Sequence, residues 1–209
     1  MRRTRQIYYD TFSRFYDRFV AFHSRDKRGL ARIFLVDQVH VQSGGSVLDL
    51  CTGTGTLLRL LQGKVGTSGQ VVGVDFSHGM LMAAQRKTRE FPNVGLVEAD
   101  AGYLPFATGT FDVATCSHAF YELKGTVQGR ALQEIVRVLK PEGSFLMMEH
   151  DVPANLFVRA LFYVRLASMG AGRAITFLRQ EKKVLQSHFG SISKIVAPAG
   201  RSKVMVCRK

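Results

Sequence analysis

The chain has 209 residues, 46% of them hydrophobic, and carries 29 Lys and Arg against 16 Asp and Glu, a formal net charge of +13. That length and apolar content suffice for the core of one domain, and no repeat, low-complexity tract or Pro-rich linker divides it. No apolar run is long enough for a spanning helix, Met1–Arg5 lacks the apolar segment of a secretory signal, and the three cysteines form no Cys-x-x-Cys or Cys/His cluster, so the expectation is a cytoplasmic chain with neither disulfide framework nor metal site.

Near the amino terminus, Phe12, Phe15, Tyr16 and Phe19 recur at the spacing of an amphipathic helix that packs an aromatic face on a core. The strongest signal is Val47–Gly55 (VLDLCTGTG): an apolar run broken by Asp49, a glycine-spaced turn, then Leu57, Leu58, Leu60 and Leu61 at helical spacing. This predicts a buried strand, a tight turn and a helix start. Gly53 and Gly55 allow left-handed backbone and close approach of a bound molecule, while free amides at the helix start favour an anionic group. The dinucleotide fingerprint has this outline, but its third glycine would fall where Leu58 stands, which disfavours a pyrophosphate. Asp49 offers a carboxylate to an ammonium group, so a zwitterionic amino-acid tail suits the turn.

Val71–Asp75 (VVGVD) predicts a second buried strand whose carboxylate returns to the same crevice. Asp75 can accept from both hydroxyls of a ribose, or merely end its strand before Ser77 caps the helix that starts at His78. Val94–Glu98 predicts a third strand, after which Asp100 can accept from an exocyclic amine, and Phe111–Ser117 predicts a fourth that presents Ser117 and His118. Thr126–Leu139 reads as a helix, Lys140–Gly143 as a turn and Phe145–Glu149 as a fifth strand. Asn155–Met169 is apolar nearly all round, interrupted by Arg159 and Arg165, as in a core helix or one lying against lipid. Thr176–Phe189 reads as a further helix, and Ile192–Val196 and Lys203–Cys207 as two antiparallel strands across Pro198-Ala199-Gly200. Cys51, Cys116 and Cys207, all in apolar strand contexts, are expected as reduced core residues. The expected fold is α/β, a Rossmann-like, seven-stranded, mostly parallel sheet with an antiparallel last strand and helices on both faces.

In order and spacing, VLDLCTGTG, VVGVDFSHGML, EADAGYLPF, FDVATCSHAFYEL and LKPEGSFLMMEHD resemble the successive motifs of class I S-adenosylmethionine-dependent methyltransferases. More narrowly, the chain resembles the type 11 group around the ubiquinone and menaquinone biosynthesis C-methyltransferases, over about Tyr8 to Asp151. The resemblance implies S-adenosylmethionine as cofactor, leaving as S-adenosylhomocysteine. It implies that Asp49, Gly53 and Gly55 surround the methionine part, Asp75 holds the ribose, Phe76 flanks the adenine, Asp100 and Ala101 meet its edge, and Ser117 lies near the methionine end. Cys51, Thr54 and Met80 complete the expected cofactor contacts. The segment YYDTFSRFYD is similar to the family's short segment with a Tyr-Asp pair that closes over the cofactor, which makes Tyr16 a lid candidate. The expected organisation is a single domain: residues 1–32 a helical lid, 33–151 the cofactor-binding core, and 152–209 the substrate-side helices and final strands.

A sulfonium methyl is already activated, so such a protein mainly aligns donor and acceptor and excludes water. A carbon or oxygen acceptor also needs deprotonation, for which His118, Tyr121, Glu122 and His150 are candidates. His118 comes first, because it follows Ser117 and histidine ordinarily titrates near neutrality; a purely structural role is the alternative. The absence of a Walker A turn, a Gly-x-Ser-x-Gly elbow and a His-Glu-x-x-His argues against phosphoryl transfer and hydrolysis.

Residues 1–32 carry 9 basic and 3 acidic side chains (net +6), residues 33–150 carry 9 and 11 (net −2), and residues 151–209 carry 11 and 2 (net +9). Basic flanks around a nearly neutral core suit a phosphate-bearing substrate, an anionic membrane surface or RNA, or else form a solvated surface. With the apolar Asn155–Met169 segment they favour a small hydrophobic or membrane-associated acceptor, such as a quinone precursor, met at the inner face of a membrane. The alternatives are a phospholipid N-methyltransferase, a nucleic-acid enzyme acting on RNA, and a cofactor-binding protein without turnover. Ser117-His118-Ala119-Phe120 stands where an RNA enzyme could carry an Asn-Pro-Pro-Tyr-type loop.

Overall fold

Strands in the middle of this chain are apolar on both sides because both sides are covered. Val47 packs with Leu35, Leu58 and Leu61, while its strand neighbours Leu48 and Leu50 point the other way, toward Phe111, Leu132 and Ile135. The computed structural model describes residues 2–13, 16, 29–123, 126–153, 155–168, 172–198 and 202–209. In chain order the elements are α1 (Arg2–Phe12), α2 (Leu30–Asp37), β1 (Ser46–Leu50), α3 (Thr56–Val65), β2 (Gln70–Asp75), α4 (His78–Thr88), β3 (Val94–Glu98), β4 (Phe111–Ser117), a 3-10 turn (Phe120–Glu122), α5 (Thr126–Val138), β5 (Leu139–His150), α6 (Leu156–Ser168), α7 (Gly172–Gln186), β6 (Ser191–Val196) and β7 (Ser202–Arg208).

Among the described residues the strands form one seven-stranded sheet in the order β3-β2-β1-β4-β5-β7-β6. The pairs from β3 through β5 are parallel, and β7 runs antiparallel to both β5 and β6. The Rossmann-like sheet expected from the sequence is therefore the observed one. Strand order reverses between β1 and β4, which opens a crevice at their carboxyl ends, the usual ligand position in such sheets. Register aligns Leu50 with Val74 and with Cys116, so the turn after β1, the end of β2 and Ser117 share that edge.

Several boundaries differ from the sequence reading. Lys140–Gly143, expected as a turn, belongs to β5: Phe111 pairs with Leu139 and Val113 already with Ser144, so the extra residues form an irregularity inside the strand. A Lys140 to Asp112 ion pair at 2.8 Å and the close backbone around Gly143, where a Cβ would lie 3.1 Å from the Asp112 carbonyl, hold it there. Helix α7 begins four residues earlier than expected and ends three residues earlier. Cys116 and Cys207 are buried, but Cys51 sits half-buried in the turn after β1 rather than in a strand. The core reading of Asn155–Met169 is overturned: Leu156 and Phe157 in α6 are each 72% exposed. Among the described residues no helix is long and apolar enough to cross a membrane. Phe15, Phe19, Met169 and the Ala199-Gly200 turn lie outside the described residues, as does the side chain of Phe12.

Candidate functional site

The turn after β1 is built from left-handed residues: Cys51 (φ 55°), Gly53 (φ 55°) and Gly55 (φ 73°). Gly53 has open space where a Cβ would stand, so the turn leaves room for a ligand to approach its backbone. Gly55 serves packing instead, since a Cβ there would lie 2.7 Å from Ala84 Cβ on α4. Beneath the turn, Asp49 is buried and accepts from the Thr52 hydroxyl at 2.7 Å and the Thr115 hydroxyl at 2.8 Å, which ties β1 to its turn and to β4. Burial pushes the Asp49 carboxyl up to about 6, against the opposing pull of those hydroxyls and of Arg32.

A cleft of about 400 Å³, open to solvent, lies over this turn and is lined by Tyr16, Arg32, Asp49, Cys51, Thr52, Gly53, Thr54, Thr56, Leu57, Ser117 and Ala119. Asp75 adjoins the cleft: its Oδ2 accepts from the Gly53 amide at 2.9 Å and its Oδ1 from the Ser77 amide at 3.0 Å. The Phe76 amide is a third donor to this carboxylate, which with roughly four lone-pair sites keeps capacity for a ligand hydroxyl. Burial pushes Asp75 up to about 6 as well. Ser77 caps α4, accepting from the Met80 amide at 3.2 Å.

Of the cofactor residues expected from the sequence, the structure brings Tyr16, Asp49, Cys51, Gly53, Thr54 and Ser117 around the cleft, with Asp75 at its edge. Gly55, Phe76, Met80, Asp100 and Ala101 lie outside its lining. Met80 and Ala101 are buried, Asp100 accepts from the Gly102 amide at 2.9 Å, and Phe76 meets Tyr9 of α1 edge-on with ring centres 5.5 Å apart. Helix α1 lies across this end. Asp10 Oδ1 accepts from the Ser77 hydroxyl at 2.6 Å and the Gly79 amide at 2.8 Å, and the Tyr9 hydroxyl donates to Glu122.

Sequence reasoning missed Tyr9, Asp10 and Arg32. A glycine at the second position of α4 was the available sign for Asp10: Gly79 is there because a Cβ would lie 2.6 Å from the Asp10 Cα. Arg32 was visible as a lone cation within the apolar run Leu30–Val36.

Beyond Ser117 the candidate catalytic residues form one aromatic wall. His118 and His150 pack with ring centres 4.8 Å apart, Tyr121 lies 6.0 Å from His150, and Phe162 of α6 meets His150 edge-on at 6.2 Å. His118 adopts φ 52°, and its buried Nδ1 has no hydrogen-bond partner among the described residues. Burial, then the charge of His150, pushes His118 down to about 3, so the near-neutral range expected of it is corrected to that of a neutral, weakly basic ring. Burial raises the Tyr121 hydroxyl well above its ordinary range. Glu149, fully buried, accepts from the amides of Phe120 (3.1 Å) and Tyr121 (3.3 Å) and so fixes the turn that carries Tyr121.

The donor set fits a methionine-derived sulfonium nucleoside: a carboxylate and a guanidinium, Asp49 and Arg32, share the cleft as a zwitterion requires, beside the open cradle at Gly53 and the carboxylate of Asp75. A family profile described as a methyltransferase domain matches residues 47–143. The chain is similar to the demethylmenaquinone methyltransferase of Staphylococcus epidermidis, with 31% identity over 180 residues, covering 85% of this chain and 74% of the relative. It is likewise similar to that of Symbiobacterium thermophilum, with 38% identity over 132 residues, 62% of this chain and 52% of the relative. Among solved structures, a SAM-dependent methyltransferase from Aquifex aeolicus superimposes with a TM-score of 0.70 at 18% identity, over 88% of this chain and 93% of that one, a likeness of fold. The turn after β1, the carboxylate closing β2 and these relatives agree, and the chain belongs to the class I S-adenosylmethionine-dependent methyltransferases.

Proposed function

We propose that the chain methylates a small hydrophobic, quinone-precursor-like acceptor, held against the wall of His118, Tyr121 and His150 and met at the cytoplasmic, anionic face of a membrane. The observation that carries this reading is that aromatic wall, which continues directly from Ser117 at the cleft into α6. The names of the relatives support the acceptor class.

Bound S-adenosylmethionine supplies an electrophilic methyl on a sulfonium. In this reading Asp49 takes the ammonium of the amino-acid tail and Arg32 its carboxylate, while Cys51, Gly53, Thr54 and Gly55 shape the turn against which it lies. Asp75 accepts from the ribose hydroxyls; Phe76, Met80, Asp100 and Ala101 serve the adenine end; Ser117 sits near the methionine end, and Tyr16 covers the cleft. Residues 1–32 act as the lid, 33–151 hold the donor and 152–209 supply the acceptor side. Tyr121 keeps its proton and donates to an acceptor oxygen. His118, neutral above about pH 3, orients the acceptor as a hydrogen-bond acceptor, which leaves His150 to take the proton of a carbon or oxygen acceptor.

The downward shift of His118 favours a second reading, a phospholipid N-methyltransferase, because a headgroup amine that has lost its proton to solvent attacks through its lone pair without a resident base. Labelled S-adenosylmethionine offered in parallel with a demethylated naphthoquinone, phosphatidylethanolamine vesicles and tRNA separates these classes. Label in the quinone is the expected result; label confined to the phospholipid or to tRNA overturns the acceptor assignment.

A further inference from the structure

We propose that α6 and the neighbouring surface of α7 form a docking face for an anionic lipid bilayer, a proposal that rests on the hydrophobic-acceptor reading and identifies the surface through which it works. Phe157, Leu161 and Val164 recur at i, i+4 and i+7 on α6 and are 72%, 55% and 67% exposed. Leu156 and Val158 widen the stripe to a continuous apolar face. The opposite side of the helix faces the protein, with Phe162 against His150 and Tyr163 beneath the Arg179 guanidinium of α7, 5.0 Å from its ring centre. The helix thus presents one apolar face outward while its other face touches the acceptor wall.

Charge selects the occupant. Residues 151–209 carry eleven basic and two acidic side chains. Both acids are paired within the segment, Asp151 with Lys194 at 2.6 Å and Glu181 with buried Lys203. Exposed Lys182 and Lys183 follow Arg179 by three and four residues, so they extend its basic edge along α7. An apolar stripe beside a basic edge matches a helix lying flat at an anionic interface. Pairing with a second copy of the chain would bring two basic faces together, which opposes association. At 13 residues, or about 20 Å, α6 is too short to span a bilayer and suits the interface plane. Docked in this way, it delivers a lipid-dissolved acceptor to His150 without passage through water.

The test is co-sedimentation of the full chain with phosphatidylcholine vesicles with and without phosphatidylglycerol, alongside sedimentation velocity. The wild type binds the phosphatidylglycerol vesicles and binds neutral ones far more weakly. Phe157→Ser combined with Leu161→Ser weakens binding by about tenfold or more, and each of Lys182→Gln and Lys183→Gln by roughly fivefold. All these positions are exposed, so titration with S-adenosylhomocysteine stays unchanged. Failure of the wild type to sediment with anionic vesicles overturns the proposal, as does undiminished binding by the double variant. A wild-type dimer that the double variant splits overturns it too, by making the face a self-interface. Vesicle binding without quinone methylation supports docking and removes the acceptor reading; methylation of a short-chain soluble quinone without vesicle binding does the reverse.

Discussion

The Gly53 amide donates to Asp75 Oδ2 at 2.9 Å, fastening the turn after β1 to the end of β2 at the mouth of the cleft. One carboxylate thereby shapes the turn and, in the proposed reading, would also take the sugar of the cofactor, while Gly53 faces open space and Gly55 packs on Ala84, which gives the two glycines separable duties.

Gly55→Ala places a Cβ 2.7 Å from Ala84 Cβ at a left-handed φ and is expected to destabilise the fold by about 2–4 kcal/mol. Gly53→Ala meets no neighbour within 4 Å and costs only the left-handed strain, about 1 kcal/mol, yet fills the cradle and weakens cofactor binding more. Urea denaturation and calorimetric titration with S-adenosylhomocysteine separate the two effects. Equal stability losses would contradict the division of labour.

The pH response follows from the buried groups. Asp49 and Asp75 both rise from 3.8 to about 6, so their contribution to stability is fully present below 3.8 and is lost as pH rises through about 6. His118 falls from 6.5 to about 3, and its contribution is present above 6.5 and is lost as pH falls toward 3. Asp49→Asn removes one buried charge, so its melting temperature relative to wild type is expected to be higher at about pH 8 than at about pH 5. Affinity for the cofactor is expected to move oppositely: the proposed reading has ionised Asp49 and Asp75 hold it, so wild-type binding should weaken below about pH 6. Thermal melts with and without S-adenosylhomocysteine at both pH values check both signs.

Asp10 joins α1 to the amino end of α4 through the Ser77 hydroxyl and the Gly79 amide. Asp10→Ala leaves the amide without its carboxylate and removes an anion from a helix start, at a cost of about 1–2 kcal/mol. Faster hydrogen exchange across α1 is the expected signature; unchanged exchange there would show that Asp10 does not secure the helix.

Burial raises the Glu149 carboxyl well above its ordinary range, and its Oε1 accepts from two amides. Glu149→Gln keeps that acceptor and is expected to cost under about 1 kcal/mol, whereas Glu149→Leu leaves two buried amides unpaired and costs about 2–4 kcal/mol. Denaturant midpoints measure the difference.

The parts legible in the sequence were those with a local cause. Val47–Gly55 announced its strand and turn because apolar residues on both faces, followed by Gly53 and Gly55, leave few other arrangements. Asp75 and Ser117 followed from strand ends that the parallel register brings to one edge. The docking of α1 depends on Asp10 meeting Gly79 across 69 residues, which no local pattern encodes apart from the glycine itself. His118 looked like an ordinary base because its burial against His150 is created only when β4 and β5 pair. Lys140–Gly143 has the composition of a turn, and only pairing with β4 makes it a bulge in a strand.

Calorimetric titration of S-adenosylhomocysteine into the wild type and into Asp75→Ala, with circular dichroism confirming that both are folded, addresses the cofactor cleft most directly. Micromolar binding by the wild type is expected, weakened roughly tenfold to a hundredfold in the variant, as loss of a buried charge-assisted hydrogen bond requires. Equal affinities in the two proteins, or a wild type that ignores this nucleoside and takes up a dinucleotide instead, would contradict the assignment.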